Sequence, residues 1–205
     1  MVDIYLFRHS HVDYAQPNRI TAHNPLTPLG HRMAERLAQR CDGWDLQYLF
    51  VSTMLRAQQT ADAISERYPS LPRQDLPEFA ESSIDDLIAY DGTPPPEDMR
   101  EWEEEHYVYA NARLLERVTV GFEKVQHVIA TRELERVAIV SHGGPINFLL
   151  RHFLGAVESG PMRTWFSLDW ATTCCLRLSE ERRWVRWVND ARHIDELRHL
   201  LPDEG

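Results

Sequence analysis

The chain has 205 residues, of which 43% are hydrophobic, and it carries a formal net charge of −10 at pH 7. A chain of this length can bury a full core without metal ions or disulfides, and its acidic balance argues against non-specific binding to nucleic acid or to an anionic membrane. No apolar run approaches the roughly 20 residues that a membrane-spanning helix needs.

The first half of the chain alternates short apolar runs, typical of buried strands, with helical patterns. In chain order these predict a strand at 2–7, a helix from Pro28 to Gly43, a strand at 48–52 and a helix from Leu55 to Tyr68. The stretch 69–77 contains three prolines and is predicted to be a connection.

The second half repeats this alternation after a different middle segment. The predicted elements are a helix from Leu114 to Thr131, a strand at 136–142, a helix from Gly143 through Leu154, a closing pair of strands at 171–178 and 184–188, and a polar terminal helix. We therefore expect an α/β fold, a three-layer sandwich in which a mostly parallel sheet has helices on both faces. Residues 1–205 would form one domain, with a helical insertion at about 78–132.

The three cysteines, Cys41, Cys174 and Cys175, give no even disulfide framework. Neighbouring residues of a strand point to opposite faces, which makes Cys174 and Cys175 poor partners. We expect reduced thiols and, with no basic and apolar leader after Met1, a cytoplasmic protein.

The first predicted strand ends in LFRHSHVDY, which allows two interpretations. His9, His11 and Asp13 form an H-x-H-x-D run that would begin a metal site. Arg8 and His9 could instead be a phosphate-binding arginine beside a phosphate-accepting histidine.

The other strand ends favour the phosphate interpretation. Catalytic groups of an open α/β sheet collect at the carboxyl ends of its strands. The second strand ends in Ser52 with Arg56 one helical turn further on, and the third ends in Ser141-His142-Gly143-Gly144. Two arginines suit a phosphate, which planar guanidinium groups hold bidentately, whereas a metal ion needs carboxylates or thiolates.

Four short motifs in this order resemble the histidine phosphatase superfamily, which includes the phosphoglycerate mutases. They are R-H at 8–9, L-T-x-x-G at 26–30, STMLRAQQTA at 52–61 and S-H-G-G at 141–144. The resemblance extends along the whole chain and implies that superfamily's fold and a phosphohistidine mechanism, without cofactor or metal.

The resemblance implies a role for each matching residue. His9 would accept the phosphoryl group, and Arg8, Arg56 and His142 would hold the phosphate oxygens. A glutamate in an L-x-E context would protonate the leaving oxygen, which selects Glu78 in L-P-E at 76–78, with Glu81 as second choice.

Elementary chemistry adds two expectations for His9. The flanking arginines should keep its imidazole neutral and nucleophilic, and its other ring nitrogen should donate to a backbone carbonyl. The helix beginning at Gly143-Gly144 could aim backbone N–H groups at the same anion, and His142, if protonated, would add a charged donor.

The chain departs from the superfamily's pattern beside the nucleophile. Ser10 replaces the usual glycine, and any positive φ there would be strained. Val12 replaces a threonine that donates to phosphate. Asn18, Arg19 or His11 could supply the missing contact, and Asn18 is included among the candidate substrate-binding residues.

The insertion bears on the choice between phosphatase and mutase. Residues 97–105 contain six carboxylates against one arginine, which would repel phosphoglycerate if this segment lines the site. We therefore expect a histidine acid phosphatase-type phosphomonoesterase acting on a small phosphorylated substrate. A phosphoglycerate mutase activity and a non-catalytic phospho-ligand binding module stay open, as do a solvated role for the acidic stretch and a homodimer.

Overall fold

The computed structural model describes residues 1–13, 21–94, 103–156 and 164–201, without the side chains of residues 84 and 85. Six strands form one sheet in the order β3-β2-β4-β1-β5-β6. They are β1 (Val2–Arg8), β2 (Tyr48–Val51), β3 (Arg73–Asp75), β4 (Arg136–Ser141), β5 (Thr173–Leu178) and β6 (Arg183–Asp190). Strands β1 to β4 are parallel, β5 is antiparallel to β1, and β6 is antiparallel to β5. The predicted α/β fold with a mostly parallel sheet is confirmed.

Five α-helices and two 3₁₀ segments accompany the sheet in the described part of the chain. The helices are α1 (Pro28–Arg40), α2 (Leu55–Arg67), α3 (Ile84–Ile88), α4 (Glu104–Arg132) and α5 (Gly143–Leu154), and the 3₁₀ segments are Pro77–Phe79 and Arg192–Leu200. None of these helices is long and apolar enough to cross a membrane.

The alternation of side chains along β1 explains the layers. Ile4 and Leu6 pack into the core cluster that contains the apolar residues of α4 and α5. Tyr5 and Phe7 pack into the cluster that contains those of α1 and α2. A strand buried on both faces is apolar throughout, which is why the sequence shows a continuous run and no alternation with polar residues.

Three larger differences separate the structure from the predicted elements. The predicted connection at 69–77 contains the short strand β3, whose residues Arg73–Asp75 are polar and pair only with β2. Helix α4 begins at Glu104 and not at Leu114. The prediction started too late because the first turns carry many charged and polar residues and add only Ala110 to a small apolar cluster with Leu87. The polar terminal helix is a 3₁₀ helix.

Candidate active site

The sheet register places the ends of three parallel strands side by side. Arg8 of β1 pairs with Ser141 of β4, and Val51 of β2 pairs with Val140 of β4. The next residues along these strands therefore meet at one edge of the sheet. These residues are His9, Ser52 and His142, and all three are buried.

The imidazole of His9 is held in one tautomer. Its Nδ1 lies 2.8 Å from the carbonyl oxygen of Ser10, and its Nε2 lies 3.2 Å from Nε of Arg56. Because an arginine can only donate, Nε2 is the acceptor and Nδ1 carries the proton. The expected hydrogen bond to a backbone carbonyl is confirmed, and it leaves the Nε2 lone pair as the nucleophilic position.

The same surroundings keep His9 uncharged. Burial lowers the pKa of His9 well below its usual value, and the charges of Arg56 and Arg8 lower it further. A neutral imidazole retains the lone pair that attack on phosphorus requires.

Arg56, in the first turn of α2, has a fully buried side chain. Besides its contact with His9, its guanidinium donates to the carbonyl oxygen of Thr21 at 2.9 Å and to Sδ of Met54 at 3.1 Å. These contacts hold the positive charge of Arg56 beside His9, in a buried position where little water can screen it.

Arg8 reaches the same region from the end of β1. Its guanidinium donates to the carbonyl oxygen of Leu168, and its Cζ lies 4.0 Å from the ring centroid of Trp170. Trp170 could not be selected from the sequence, because it lies outside every motif, in the segment before β5.

His142 is paired with Ser52. Its Nε2 lies 2.7 Å from Oγ of Ser52, and that oxygen also accepts from the backbone N–H of Met54 at 3.3 Å. Where the Ser52 hydroxyl donates to Nε2, the His142 proton is on Nδ1. This buried Nδ1 has no hydrogen-bond partner among the described residues.

The ring of His142 lies 5.0 Å from that of His9, centroid to centroid. Burial lowers the pKa of His142 well below its usual value, with smaller contributions from His9 and Arg56. The ring is therefore neutral in this state, so that a proton on Nδ1 would make it an uncharged donor.

The two candidate acids have different surroundings. Glu78 forms an ion pair with Lys124 of α4. Glu81 accepts from the backbone N–H of Gly144 at 2.9 Å and from that of Ser82 at 3.1 Å. Burial raises the pKa of Glu81, while Arg56 and Arg8 act in the opposite direction. These contacts favour Glu81, the second choice from the sequence, over Glu78 as the candidate acid.

A sequence signal for Glu81 was present. F-A-E at 79–81 repeats the spacing of an apolar residue two positions before a glutamate, and Phe79 is fully buried. The Gly144 N–H, expected to face an anionic ligand, instead binds the Glu81 carboxylate. A Cβ at Gly144 would overlap Oε1 of Glu81, so the carboxylate can keep its present position only beside a glycine.

The backbone after His9 avoids the strain that a positive φ at Ser10 would cause. Ser10 has no positive φ, and its N–H donates to Oγ1 of Thr60 at 3.0 Å. Val12 is buried and forms a bridge with Leu26. Nδ1 of His11 lies 2.8 Å from Oγ1 of Thr27. Asn18 and Arg19 lie outside the described residues.

The H-x-H-x-D run does not form a convergent ligand set. His9 and His11 direct ring nitrogens to Ser10 and to Thr27 respectively. Over residues 1–13, 21–94, 103–156 and 164–201, no group of three or more histidine, cysteine or acidic residues is arranged to hold a metal ion.

The fold and this site together define an α/β protein in which two histidines, two arginines and a half-buried glutamate lie near the carboxyl ends of the parallel strands. The histidine phosphatase superfamily (branch 1) has a family model that matches residues 4–191, and the chain belongs to that superfamily.

Individual relatives agree with this assignment. The chain is 25% identical over 215 residues to the mitochondrial serine/threonine-protein phosphatase Pgam5 of Caenorhabditis elegans, covering 98% of this chain and 65% of that protein. The alpha-ribazole phosphatase of Shigella flexneri has a similar structure, with a TM-score of 0.71, 19% identity, and coverage of 93% and 97% of the two chains. A phosphoglycerate mutase of Bacillus anthracis gives a TM-score of 0.70, 17% identity, and coverage of 94% and 95%. The two structural similarities establish the fold.

Proposed function

We propose that this protein is a metal-independent phosphomonoesterase that works through a phosphohistidine at Nε2 of His9. The observation that carries the proposal is the pair of contacts on His9. Its Nδ1–H is fixed on the Ser10 carbonyl at 2.8 Å, and its Nε2 faces the Arg56 guanidinium at 3.2 Å. A neutral nucleophile beside buried cationic donors suits phosphoryl transfer, where positioning and charge stabilisation supply most of the catalysis.

In the first half-reaction, Nε2 of His9 attacks phosphorus while the bond from phosphorus to the leaving oxygen breaks. The Nε–H of Arg56 then donates its hydrogen bond to a phosphate oxygen and no longer to His9. Arg8 and the Nδ1–H of His142 donate to the other phosphate oxygens. Glu81 gives its proton to the leaving oxygen. The raised pKa of Glu81 supports this role, because a buried carboxyl keeps its proton to a higher pH.

In the second half-reaction, the Glu81 carboxylate takes a proton from water as the water oxygen attacks phosphorus. The bond from phosphorus to Nε2 breaks, and inorganic phosphate and neutral His9 result. Glu81 regains its proton, so one carboxyl serves as acid and then as base.

Hydrolysis has more support than mutase-type transfer. Glu103, Glu104 and Glu105, at the start of α4, are exposed, and if this segment lines the entrance to the site their charge would repel the trianionic phosphoglycerate. The similarity to a serine/threonine-protein phosphatase adds phosphoserine and phosphothreonine peptides to the substrates worth testing. A non-catalytic phospho-ligand module is less favoured, because the chain retains nucleophile, clamp and acid. The cytoplasmic location and the homodimer stay predictions.

The test is turnover of p-nitrophenyl phosphate by the parent protein and by His9→Ala, each with and without EDTA. We expect the parent to be active and insensitive to EDTA and the variant to be inactive. Quenching in alkaline detergent, which preserves the phosphorus–nitrogen bond, should recover phosphohistidine from the parent alone. Activity that survives in His9→Ala, or that EDTA removes, would overturn the proposal.

A further inference from the structure

The indole ring of Trp170 contacts several residues at the end of β1. Its centroid lies 4.0 Å from Cζ of Arg8, 5.2 Å from the ring centroid of His9 and 5.5 Å from that of His11. Only 8% of Trp170 is exposed. One buried aromatic side chain therefore touches both the proposed clamp and the proposed nucleophile.

The backbone around Trp170 holds the same two residues. The N–H of Ala171 donates to the carbonyl oxygen of His9 at 3.2 Å, and the N–H of Arg8 donates to the carbonyl oxygen of Thr172 at 3.1 Å. Ala171 has a φ of 52°, a left-handed conformation that an alanine rarely adopts. This turn lets one residue present its ring to Arg8 while the next binds His9, and it explains why β5 starts at Thr173 and not at 171.

The turn is fastened from its other side. Nε2 of His193, in the C-terminal 3₁₀ segment, donates to the carbonyl oxygen of Ala171 at 2.9 Å. Trp170 and Ala171 also belong to an apolar cluster with Met33 and Ile194. A strained turn held on several sides keeps one geometry, which is what a positioning element requires.

An aromatic partner suits a phosphate-binding arginine better than a carboxylate does. A carboxylate would occupy the in-plane N–H donors of Arg8 and compete with the phosphate for them. The indole attracts the guanidinium through its flat face and does not use those donors. The stack thus fixes the direction of a flexible side chain and preserves its charge for the ligand.

We propose that Trp170 is a positioning residue that aligns Arg8, and through the adjoining turn His9, for binding and transfer of the phosphoryl group. The inference rests on the proposed function, because it assigns those roles to Arg8 and His9. It differs from a merely structural role in predicting that loss of the aromatic face weakens phosphate binding beyond any effect on folding.

The experiment compares Trp170→Leu, Trp170→Phe and Trp187→Leu with the parent protein. Trp187 is a matched control, since it is partly buried and packs against Tyr5 and Trp44 on the α1 and α2 face of the sheet. Titration calorimetry measures the affinity for inorganic phosphate, and circular dichroism measures the melting temperature. Steady-state assays with p-nitrophenyl phosphate give kcat and KM. All affinities are measured well below the lowest melting temperature.

We expect Trp170→Leu to weaken phosphate binding by about tenfold, because removing a desolvated cation–π contact loosens the clamp. Trp170→Phe should stay within about threefold of the parent, since it keeps an aromatic face. Trp187→Leu should lower the melting temperature without changing phosphate affinity. Trp170→Met replaces the leucine variant if the latter does not fold.

A double-mutant cycle with Arg8→Lys then tests whether Trp170 acts through Arg8. The loss caused by Trp170→Leu should largely disappear when Arg8 is already lysine. Unchanged phosphate affinity in Trp170→Leu, equal losses in the phenylalanine and leucine variants, or strict additivity with Arg8→Lys would each overturn the inference. Phosphate binding can be measured without turnover. A parent protein that binds phosphate but hydrolyses no ester would contradict the proposed function and leave the inference about Trp170 and phosphate binding standing.

Discussion

Glu81, from the segment after β3, accepts a hydrogen bond from the backbone N–H of Gly144 at 2.9 Å, at the start of α5. The N-terminus of a helix favours a negative charge, so α5 stabilises the carboxylate form, while burial favours the protonated form. These opposing influences suit a group that must both release and recover a proton.

The loss of kcat caused by replacing Glu81 should depend on the leaving group. We expect Glu81→Gln to lower kcat for an alkyl phosphomonoester by about 10²–10⁴-fold, because an alkoxide needs a proton to leave. The loss should be much smaller with p-nitrophenyl phosphate, whose leaving group departs as the anion. Steady-state kinetics on both esters check this. Glu78→Gln is the matched control and should keep nearly full activity, whereas a larger loss in that variant would return the acid to Glu78.

Two adjacent glycines offer a sharper comparison. In Gly144→Ala the new methyl overlaps the Glu81 carboxylate, the movable end of a side chain, whereas in Gly143→Ala the nearest atom is Nε of Arg8 at 4.0 Å. We expect Gly144→Ala to lower kcat for an alkyl ester by about 10–100-fold through misplacement of the acid. Its melting temperature should change little, since the carboxylate can turn aside. Equal kinetics in the two variants would contradict this account.

The hydroxyl of Ser52 should set the tautomer of His142. In Ser52→Ala, the Nε2 of His142 loses a partner at 2.7 Å inside the core, which should cost about 1–3 kcal/mol of stability. Nitrogen NMR should show a mixed tautomer, and kcat/KM should fall. Ser65→Ala on α2 is the control, since the buried Oγ of Ser65 has no hydrogen-bond partner among the described residues. An unchanged His142 spectrum in Ser52→Ala would exclude this role.

Arg117 of α4 should position the segment that carries the acid. Its guanidinium donates to the carbonyl oxygens of Ala80 at 3.1 Å and of Glu81 at 3.4 Å. We expect Arg117→Met to lower kcat for alkyl esters by about tenfold through displacement of the acid, with a smaller effect on p-nitrophenyl phosphate. Arg113→Met, one turn earlier and exposed beside Tyr109, is the control. A loss independent of the leaving group would point to general damage.

Low pH should destabilise the fold through the buried histidines His9 and His142. The pKa values of His9 and His142 are lowered well below 6.5, mainly by burial, so both rings are neutral when folded and gain protons when unfolded. Their contribution to stability is present above pH 6.5 and declines as the pH falls toward the folded-state values, by up to about 1.4 kcal/mol per histidine per pH unit. Urea unfolding at several pH values from 7.5 to 5.5 measures this slope. His142→Gln should flatten it, and an identical slope in that variant would contradict the argument.

Much of this arrangement follows from local pattern. Continuous apolar runs predict the buried parallel strands, and strand ends are where an α/β sheet collects polar side chains, so Arg8, His9 and His142 could be placed from sequence alone. The anchor of His9 was predictable as well, because a neutral imidazole with one nitrogen committed to chemistry needs an acceptor for the other.

The remaining features depend on tertiary contacts. Glu78 and Glu81 are three residues apart, and only the packing of the segment against Lys124 of α4 and the start of α5 separates their surroundings. Strand β3 has a polar sequence that carries no strand signal. Trp170 approaches Arg8 from a segment 162 positions later in the chain, a distance at which spacing predicts nothing.

The short range of the hydrogen bond between His9 and Ser10 has an evolutionary consequence. The orientation of the His9 ring depends on the very next residue, whereas Glu81, the proposed acid, is held by residues of α4 and α5 far along the chain. Under the proposed mechanism, sequence changes around Glu81 can therefore alter the choice of leaving group while His9 keeps its orientation. Such a layout lets one scaffold diversify its substrates without reinventing its chemistry.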